Sequence, residues 1–210
     1  MITIRTLLQL AFASVAVALA GIALPACAGD EHQHHHHHQH EAGATPGYAR
    51  QVAQYRLPAI TLVRADGSSA AFPQEIDDGR PVLLNFIYTS CTAICPILSQ
   101  SFAEFQHRLG GAREQVRMVS VSIDPEEDTP RRLTEYAKRF DAGRQWGFYT
   151  GSLAASVTLQ KAFQSYFGDK MHHRPVTFLR AAPGQPWVRL DGFTSPDELL
   201  AEYRRLVHAH

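Results

Sequence analysis

The chain has 210 residues, of which 20 are basic and 20 acidic, so the formal net charge is zero when histidine is neutral. No basic patch of the kind that binds nucleic acid stands out, and nucleic acid is not an expected partner. Once an N-terminal leader and a polar segment are set aside, about 160 residues remain, which is the usual size of one domain.

Residues 1–28 have the pattern of a secretory signal or membrane anchor. A basic residue, Arg5, precedes an apolar run that ends in small residues. Cleavage after Ala28, lipidation of Cys27 and retention as an uncleaved anchor are all compatible with this pattern, since the run approaches the roughly 20 residues that span a bilayer. All three interpretations predict export, so we expect a periplasmic protein, with membrane anchoring through its N-terminus left open.

Residues 29–50 are predicted to form a disordered, histidine-rich tether, because they have little apolar content. The histidines are His32, the run from His34 to His38, and His40. Such runs bind Cu(II), Zn(II) and Ni(II), which suggests an arm that loads metal into the domain. An expression tag is the alternative, but the run is interrupted by glutamine and follows a natural-looking signal.

Residues 51–210 are predicted to form one α/β domain in which strands alternate with helices. Strands are expected at 57–63, 70–72, 82–88, 116–123, 146–149, 176–180 and 187–190, and helices at 96–109, 130–140, 152–167 and 196–207. This order indicates a thioredoxin-like mixed β-sheet flanked by helices, with an N-terminal β-hairpin extension. The first βα turn then lies at the carboxyl edge of the sheet, where open α/β sheets bind ligands.

That first βα turn contains two of the three cysteines of the chain, Cys91 and Cys95. If the helix begins near Cys91, both thiols lie on one face at its amino end, where the helix dipole stabilises thiolate. Two convergent thiolates favour a soft ion such as Cu(I), whereas the spacing also permits a disulfide. A buried structural pair is the third interpretation.

A two-thiolate site usually needs a third ligand, and the segment Met171-His172-His173 precedes the predicted strand at 176–180. In a thioredoxin-like fold this loop faces the first βα turn, and imidazole binds copper in either oxidation state. A lone histidine at such a place is more often an ordinary surface residue. The position of Pro175 also suits a loop that faces a redox pair.

Two motifs resemble the Sco/SenC family of copper chaperones. One is Cys91-Thr-Ala-Ile-Cys95-Pro96 after a strand, and the other is Ser122-Ile-Asp-Pro-Glu-Glu-Asp-Thr-Pro130 after the next core strand. The resemblance covers 58–206, and it implies a periplasmic protein that binds one copper ion through Cys91, Cys95 and His173. The implied partner is the copper-receiving subunit of a cytochrome oxidase, or another periplasmic copper protein; some family members act instead as thiol–disulfide reductants on that subunit.

The chain departs from the family pattern next to the histidine. An acidic residue usually precedes it, but here His172 does, which makes His172 a possible substitute ligand. Two other functions remain open: a thiol–disulfide oxidoreductase that uses Cys91 and Cys95, and a thiol peroxidase. In the second motif, Asp128 is expected to cap the following helix. Asp124 either has a functional role, in which it orders the metal loop or shapes a partner surface, or simply forms a turn.

Overall fold

The computed structural model describes residues 47–208. The eight strands among these residues are β1 Tyr48–Ala53, β2 Thr61–Arg64, β3 Ser69–Ala71, β4 Val82–Ile87, β5 Arg117–Ser122, β6 Trp146–Thr150, β7 Val176–Arg180 and β8 Trp187–Gly192. The five α-helices are α1 Phe72–Ile76, α2 Ile94–Leu109, α3 Pro130–Arg139, α4 Leu153–Ala162 and α5 Pro196–His208. Short 3₁₀ segments span Gly110–Gln115 and Lys170–His172.

All eight strands belong to one mixed sheet with the order β1-β8-β7-β4-β5-β6-β2-β3. Strands β4, β5 and β6 are parallel, as the βαβ pattern predicts, and β7 and β8 form an antiparallel pair next to β4. The β2–β3 hairpin adds to the sheet through β6. The predicted thioredoxin-like mixed sheet with an N-terminal hairpin is therefore confirmed.

Apolar side chains are buried on both faces of the sheet. All six residues of β4 are buried, with Leu83 and Ile87 facing one cluster and Leu84 and Phe86 facing the other. Helices α2, α3 and α5 cover the first face, and α1 and α4 cover the second. This two-sided burial explains why the sequence of β4 is a continuous apolar run rather than an alternating one.

Strand β1 was not predicted, and it overlaps the last three residues of the expected tether at 29–50. Its residues are mostly exposed, so they lack the apolar alternation that indicates a strand. It is held by six register pairs with β8 and by Glu202 of α5, a buried carboxylate that accepts hydrogen bonds from Tyr48 and Arg50. These contacts are long-range, and so local sequence does not reveal them.

Two helices differ from their predicted bounds. Helix α2 begins at Ile94, so Cys91 lies in the loop before it rather than in its first turn. Helix α4 ends at Ala162, five residues early, because Gln164 adopts a left-handed conformation with φ of 52° that no helix can include. The short helix α1 was missed altogether.

Within residues 47–208, none of the helices combines the length and the apolar character that crossing a bilayer requires. The predicted signal or anchor at 1–28 and the histidine tract from His32 to His40 lie outside the described residues, so both remain predictions.

Candidate metal centre

The two cysteines lie where β4 ends and the chain turns into α2. After Ile87 the chain leaves the sheet, and a turn is closed by a hydrogen bond from the Cys91 N–H to the Tyr88 carbonyl, at 3.2 Å. Helix α2 starts three residues later. This is the carboxyl edge of the parallel strands, where the sequence predicted the site.

The structure brings the two sulfurs together, and both are free thiols. The N–H of Cys95 lies 3.4 Å from Sγ of Cys91, and the N–H of Tyr88 lies 3.4 Å from Sγ of Cys95. Cys91 is 9% exposed and Cys95 is fully buried. One thiol therefore faces the protein surface, and the other lies beneath it.

The surroundings of the two thiols push their pKa values in opposite directions. Burial acts to raise the pKa of Cys91, but hydrogen bonds from the N–H groups of Cys95 and Ala93 and from the Tyr88 hydroxyl outweigh it, so the net shift is downward. Burial raises the pKa of Cys95, and the adjacent charge of Cys91 adds to the rise. Cys91 is accordingly the more acidic thiol of the pair, and Cys95 holds its proton more strongly.

A buried carboxylate fixes the cysteine loop to the neighbouring strand. Asp128 is fully buried and accepts hydrogen bonds from the N–H and hydroxyl of Thr89 and from the hydroxyl of Ser122 at the end of β5. The prediction that Asp128 caps the next helix is wrong. Thr129 is the cap, accepting from the N–H of Arg132, and Asp128 instead faces the cysteines.

Asp124 ties the histidine loop to the end of β5. Its carboxylate pairs with the ammonium of Lys170 at 2.5 Å, and only 8% of its side chain is exposed. Lys170 begins the 3₁₀ segment that leads directly to His173. Of the two interpretations of Asp124, the geometry favours the one in which it orders the loop, although its backbone carbonyl also closes a turn with Glu127 and Asp128.

His173 is a buried histidine with one ring nitrogen that has no hydrogen-bond partner. It is 6% exposed, and its ring is hydrogen-bonded to the backbone carbonyl of Phe86. Its Nε2 is buried without any hydrogen-bond partner, which is rare for a polar atom in a folded protein. Burial lowers the pKa of His173 to about 4, so at neutral pH the ring is uncharged and one nitrogen lone pair is available.

The three predicted ligands are not yet assembled into one cluster. Among residues 47–208, no three histidine, cysteine or acidic side chains are grouped closely enough to hold a metal ion. The ring of Tyr88 stands edge-on to that of His173, with 6.5 Å between centroids. His173 also lines a cavity of about 190 Å³ with Ile123 and Lys170, whereas neither cysteine does.

The donor set nevertheless suits a soft metal ion. Two thiols in contact and a neutral imidazole with an unpartnered nitrogen match the preferences of Cu(I), which takes sulfur and imidazole ligands. His173 lies near the cysteine loop, since its ring contacts that of Tyr88 and is hydrogen-bonded to the Phe86 carbonyl. His172 is exposed, so it is accessible but not pre-positioned.

Sequence reasoning missed three residues that shape this centre. The hydroxyl of Tyr88 is hydrogen-bonded to Cys91. Burial first, and then this hydrogen bond, raise the pKa of Tyr88 to about 12. Lys170 and Thr89 were assigned no role. The motif spacing that places Asp128 six residues after Ser122 was visible, but their hydrogen bond depends on a loop conformation that only the fold defines.

The chain is similar in sequence to proteins of one known family. The sequence model of the SCO1/SenC family matches residues 57–208. A SCO1 protein homolog of Bacillus subtilis is 32% identical over 98 residues, which cover 46% of this chain and 50% of the relative. The match thus spans about half the length of that relative.

Solved structures share the fold at lower identity. The structure of BsSco, a Sco family member, has a TM-score of 0.64 with this chain at 24% identity, and the match covers 77% of this chain and 99% of that one. That structure is described as identifying a disulfide switch. ScoI of Bradyrhizobium japonicum with copper bound has a TM-score of 0.59 at 23% identity, covering 70% and 96%. At these identities the likeness establishes the fold.

Proposed function

Because the chain belongs to the SCO1/SenC family, we propose that it is a copper chaperone that binds one copper ion through Cys91, Cys95 and His173. The observation that carries this proposal is the unpartnered Nε2 of the buried, neutral His173, whose ring contacts Tyr88 at the start of the loop that bears two free thiols. The copper-bound ScoI structure supports copper as the ion for this fold. The site is expected in the periplasm, with the N-terminal leader as a signal or anchor.

The two thiols have different tasks in copper binding. Cys91, with its lowered pKa, offers a thiolate to an arriving Cu(I) ion. Cys95 keeps its proton until the positive ion lies close by, and then releases it as it becomes the second ligand. His173 needs no deprotonation, because burial already keeps its ring neutral.

A low-coordinate site of this kind suits delivery rather than storage. Three ligands leave Cu(I) open to an incoming ligand of a partner, so transfer can proceed by ligand exchange. The copper-receiving subunit of a respiratory cytochrome oxidase is the partner we propose, with another periplasmic copper protein as the alternative. We propose that the loop from Asp169 to His173 is the ligand-bearing segment that releases first; the ion pair between Asp124 and the part-exposed Lys170 holds it to the domain.

A thiol–disulfide oxidoreductase is the second candidate, and the asymmetry of the cysteines favours it. A thiolate at Cys91 next to a protonated thiol at Cys95 is the arrangement of an attacking and a resolving cysteine. In that function, the Cys91 thiolate attacks a client disulfide, one client sulfur leaves as a thiolate, and Cys95 then displaces the other. The client is reduced, and Cys91–Cys95 becomes the disulfide.

Copper titration of the reduced protein separates the two functions. We expect one tightly bound Cu(I) per chain, competing with a chromophoric Cu(I) chelator, and loss of tight binding in Cys91→Ser and Cys95→Ser. His173→Ala should weaken binding at least tenfold, whereas His107→Ala, at an exposed histidine of α2, should leave it unchanged. Unchanged affinity in His173→Ala, together with reduction of a client disulfide by the same protein, would favour the oxidoreductase.

A further inference from the structure

Met171 occupies an unusual position for a methionine. It lies in the 3₁₀ segment two residues before His173, and 71% of its surface is exposed to solvent. Its N–H donates to the carboxylate of Asp169 at 2.9 Å, which fixes the backbone of the turn. Met118, the other methionine among the described residues, is fully buried in the core.

The thioether of Met171 is linked to the cysteine pair through Tyr88. The Tyr88 hydroxyl lies 4.0 Å from Sδ of Met171, and the same hydroxyl is hydrogen-bonded to Cys91. A phenol has one proton, which it donates to only one sulfur at a time. The oxygen atom of Tyr88 therefore stands between the exposed sulfur of Met171 and Sγ of Cys91.

The three sulfurs form a series from solvent to core. Met171 is 71% exposed, Cys91 is 9% exposed and Cys95 is fully buried. A thioether is a soft ligand with no proton to lose, so it can accept Cu(I) at any pH without help. A thiol, in contrast, must lose its proton when it binds the ion.

We propose that Met171 is the entry ligand for Cu(I): it holds the ion transiently at the mouth of the site and passes it to Cys91. This proposal rests on the proposed copper-binding function. The ion keeps its oxidation state throughout; the Cu–S bond to Met171 breaks as the bond to the Cys91 thiolate forms. Met171 accordingly controls how fast copper enters and leaves, not how tightly it is finally held.

Methionine-methyl NMR on the purified, reduced full-length chain tests this directly. With Cys91 and Cys95 replaced by serine, Ag(I) as a non-oxidisable substitute for Cu(I) should shift the Met171 methyl signal and leave that of buried Met118 in place. Unshifted Met171 at saturating Ag(I) would overturn the proposal. Because Cys91 and Cys95 are absent from this variant, the result does not depend on the final site.

The kinetic arm uses Met171→Leu, which keeps the size and apolar character of the side chain. We expect Cu(I) transfer from a chelator to slow at least fivefold, while stoichiometry and final affinity stay within twofold of the unmodified chain. Equal transfer rates would refute the entry role. If the unmodified chain itself does not bind Cu(I) tightly, the proposed function is refuted instead. The two failures are therefore distinguishable.

Discussion

The backbone N–H of Cys95 points at Sγ of Cys91 from 3.4 Å away. This contact couples the two cysteines through one turn of chain, and it stabilises negative charge on the outer sulfur only. The pair is therefore chemically unequal before any metal arrives. Both the copper-binding and the redox function depend on this inequality.

Alkylation should distinguish the two thiols. Because the pKa of Cys91 is lowered and that of Cys95 is raised, we expect iodoacetamide to modify Cys91 first, and to do so at pH values below the usual range for cysteine. The pH dependence of the rate, followed by mass spectrometry of Cys91→Ser and Cys95→Ser, gives the measurement. Faster modification of Cys95 in the folded chain would contradict the assignment.

The metal-free protein should lose stability in mild acid because of His173. Its pKa is about 4 when folded and near 6.5 when unfolded, so below pH 6.5 the unfolded chain takes up a proton that the folded chain does not. The contribution of this pKa difference to the free energy of unfolding is complete above pH 6.5 and falls as the pH decreases towards 4. It amounts to about 3 kcal/mol at most. Urea unfolding at several pH values should give a flatter profile for His173→Gln.

The profile of His173→Gln must be compared with that of a variant at an exposed histidine, and His107→Gln serves as this control. A pH profile unchanged by His173→Gln would mean that the ring is hydrated in the folded chain.

Removing the carboxylate of Asp128 should destabilise the domain. Asp128→Ala leaves the N–H and hydroxyl of Thr89 and the hydroxyl of Ser122 without their acceptor, at a cost of about 3 kcal/mol. Thermal or urea unfolding measures this cost. The matched control is Glu126→Ala, two residues earlier and exposed, which should change stability by less than about 0.5 kcal/mol.

If Asp128 also positions the cysteine loop, Asp128→Ala should weaken Cu(I) binding under conditions in which it stays folded. A stability loss comparable to that of Glu126→Ala would show that the hydrogen bonds to Asp128 are not formed in solution.

The histidine tract at His32–His40 is expected to raise the rate of copper uptake when metal is scarce. Imidazole binds copper in either oxidation state, so seven histidines on the same chain provide a store of metal ions.

Replacing the seven histidines of this tract with glutamine keeps its length and tests its metal affinity alone. We expect slower uptake at limiting copper and no change at excess copper, measured as copper retained by the Cys91–Cys95 site. Equal uptake at limiting copper would leave the tract without a loading role.

The sequence was most informative where local pattern and chemistry agree. The apolar run of β4, the helical spacing of α2 and the pair Cys91–Cys95 located a central strand, helix α2 and the soft donors correctly. The predicted helix at 196–207 also begins where local chemistry places it, since Ser195 and Glu198 exchange hydrogen bonds in a capping box just before and within α5. Each of these features depends on residues close together in the chain.

Features that depend on long-range contacts were not predicted. Strand β1 is stabilised by Glu202, more than 150 residues away. Asp128 followed a plausible capping pattern, but the folded loop turned its carboxylate inward to Thr89 and gave the cap to Thr129. The orphaned Nε2 of His173 results from burial by the whole loop, which no spacing rule describes.

X-ray absorption spectroscopy of the reduced protein, loaded with one equivalent of Cu(I), tests the central claim most directly. The account predicts two sulfur ligands and one imidazole nitrogen per copper, with the imidazole signal lost in His173→Ala and retained in His172→Ala. An imidazole signal that persists in His173→Ala, or an all-sulfur site in the unmodified chain, would contradict it.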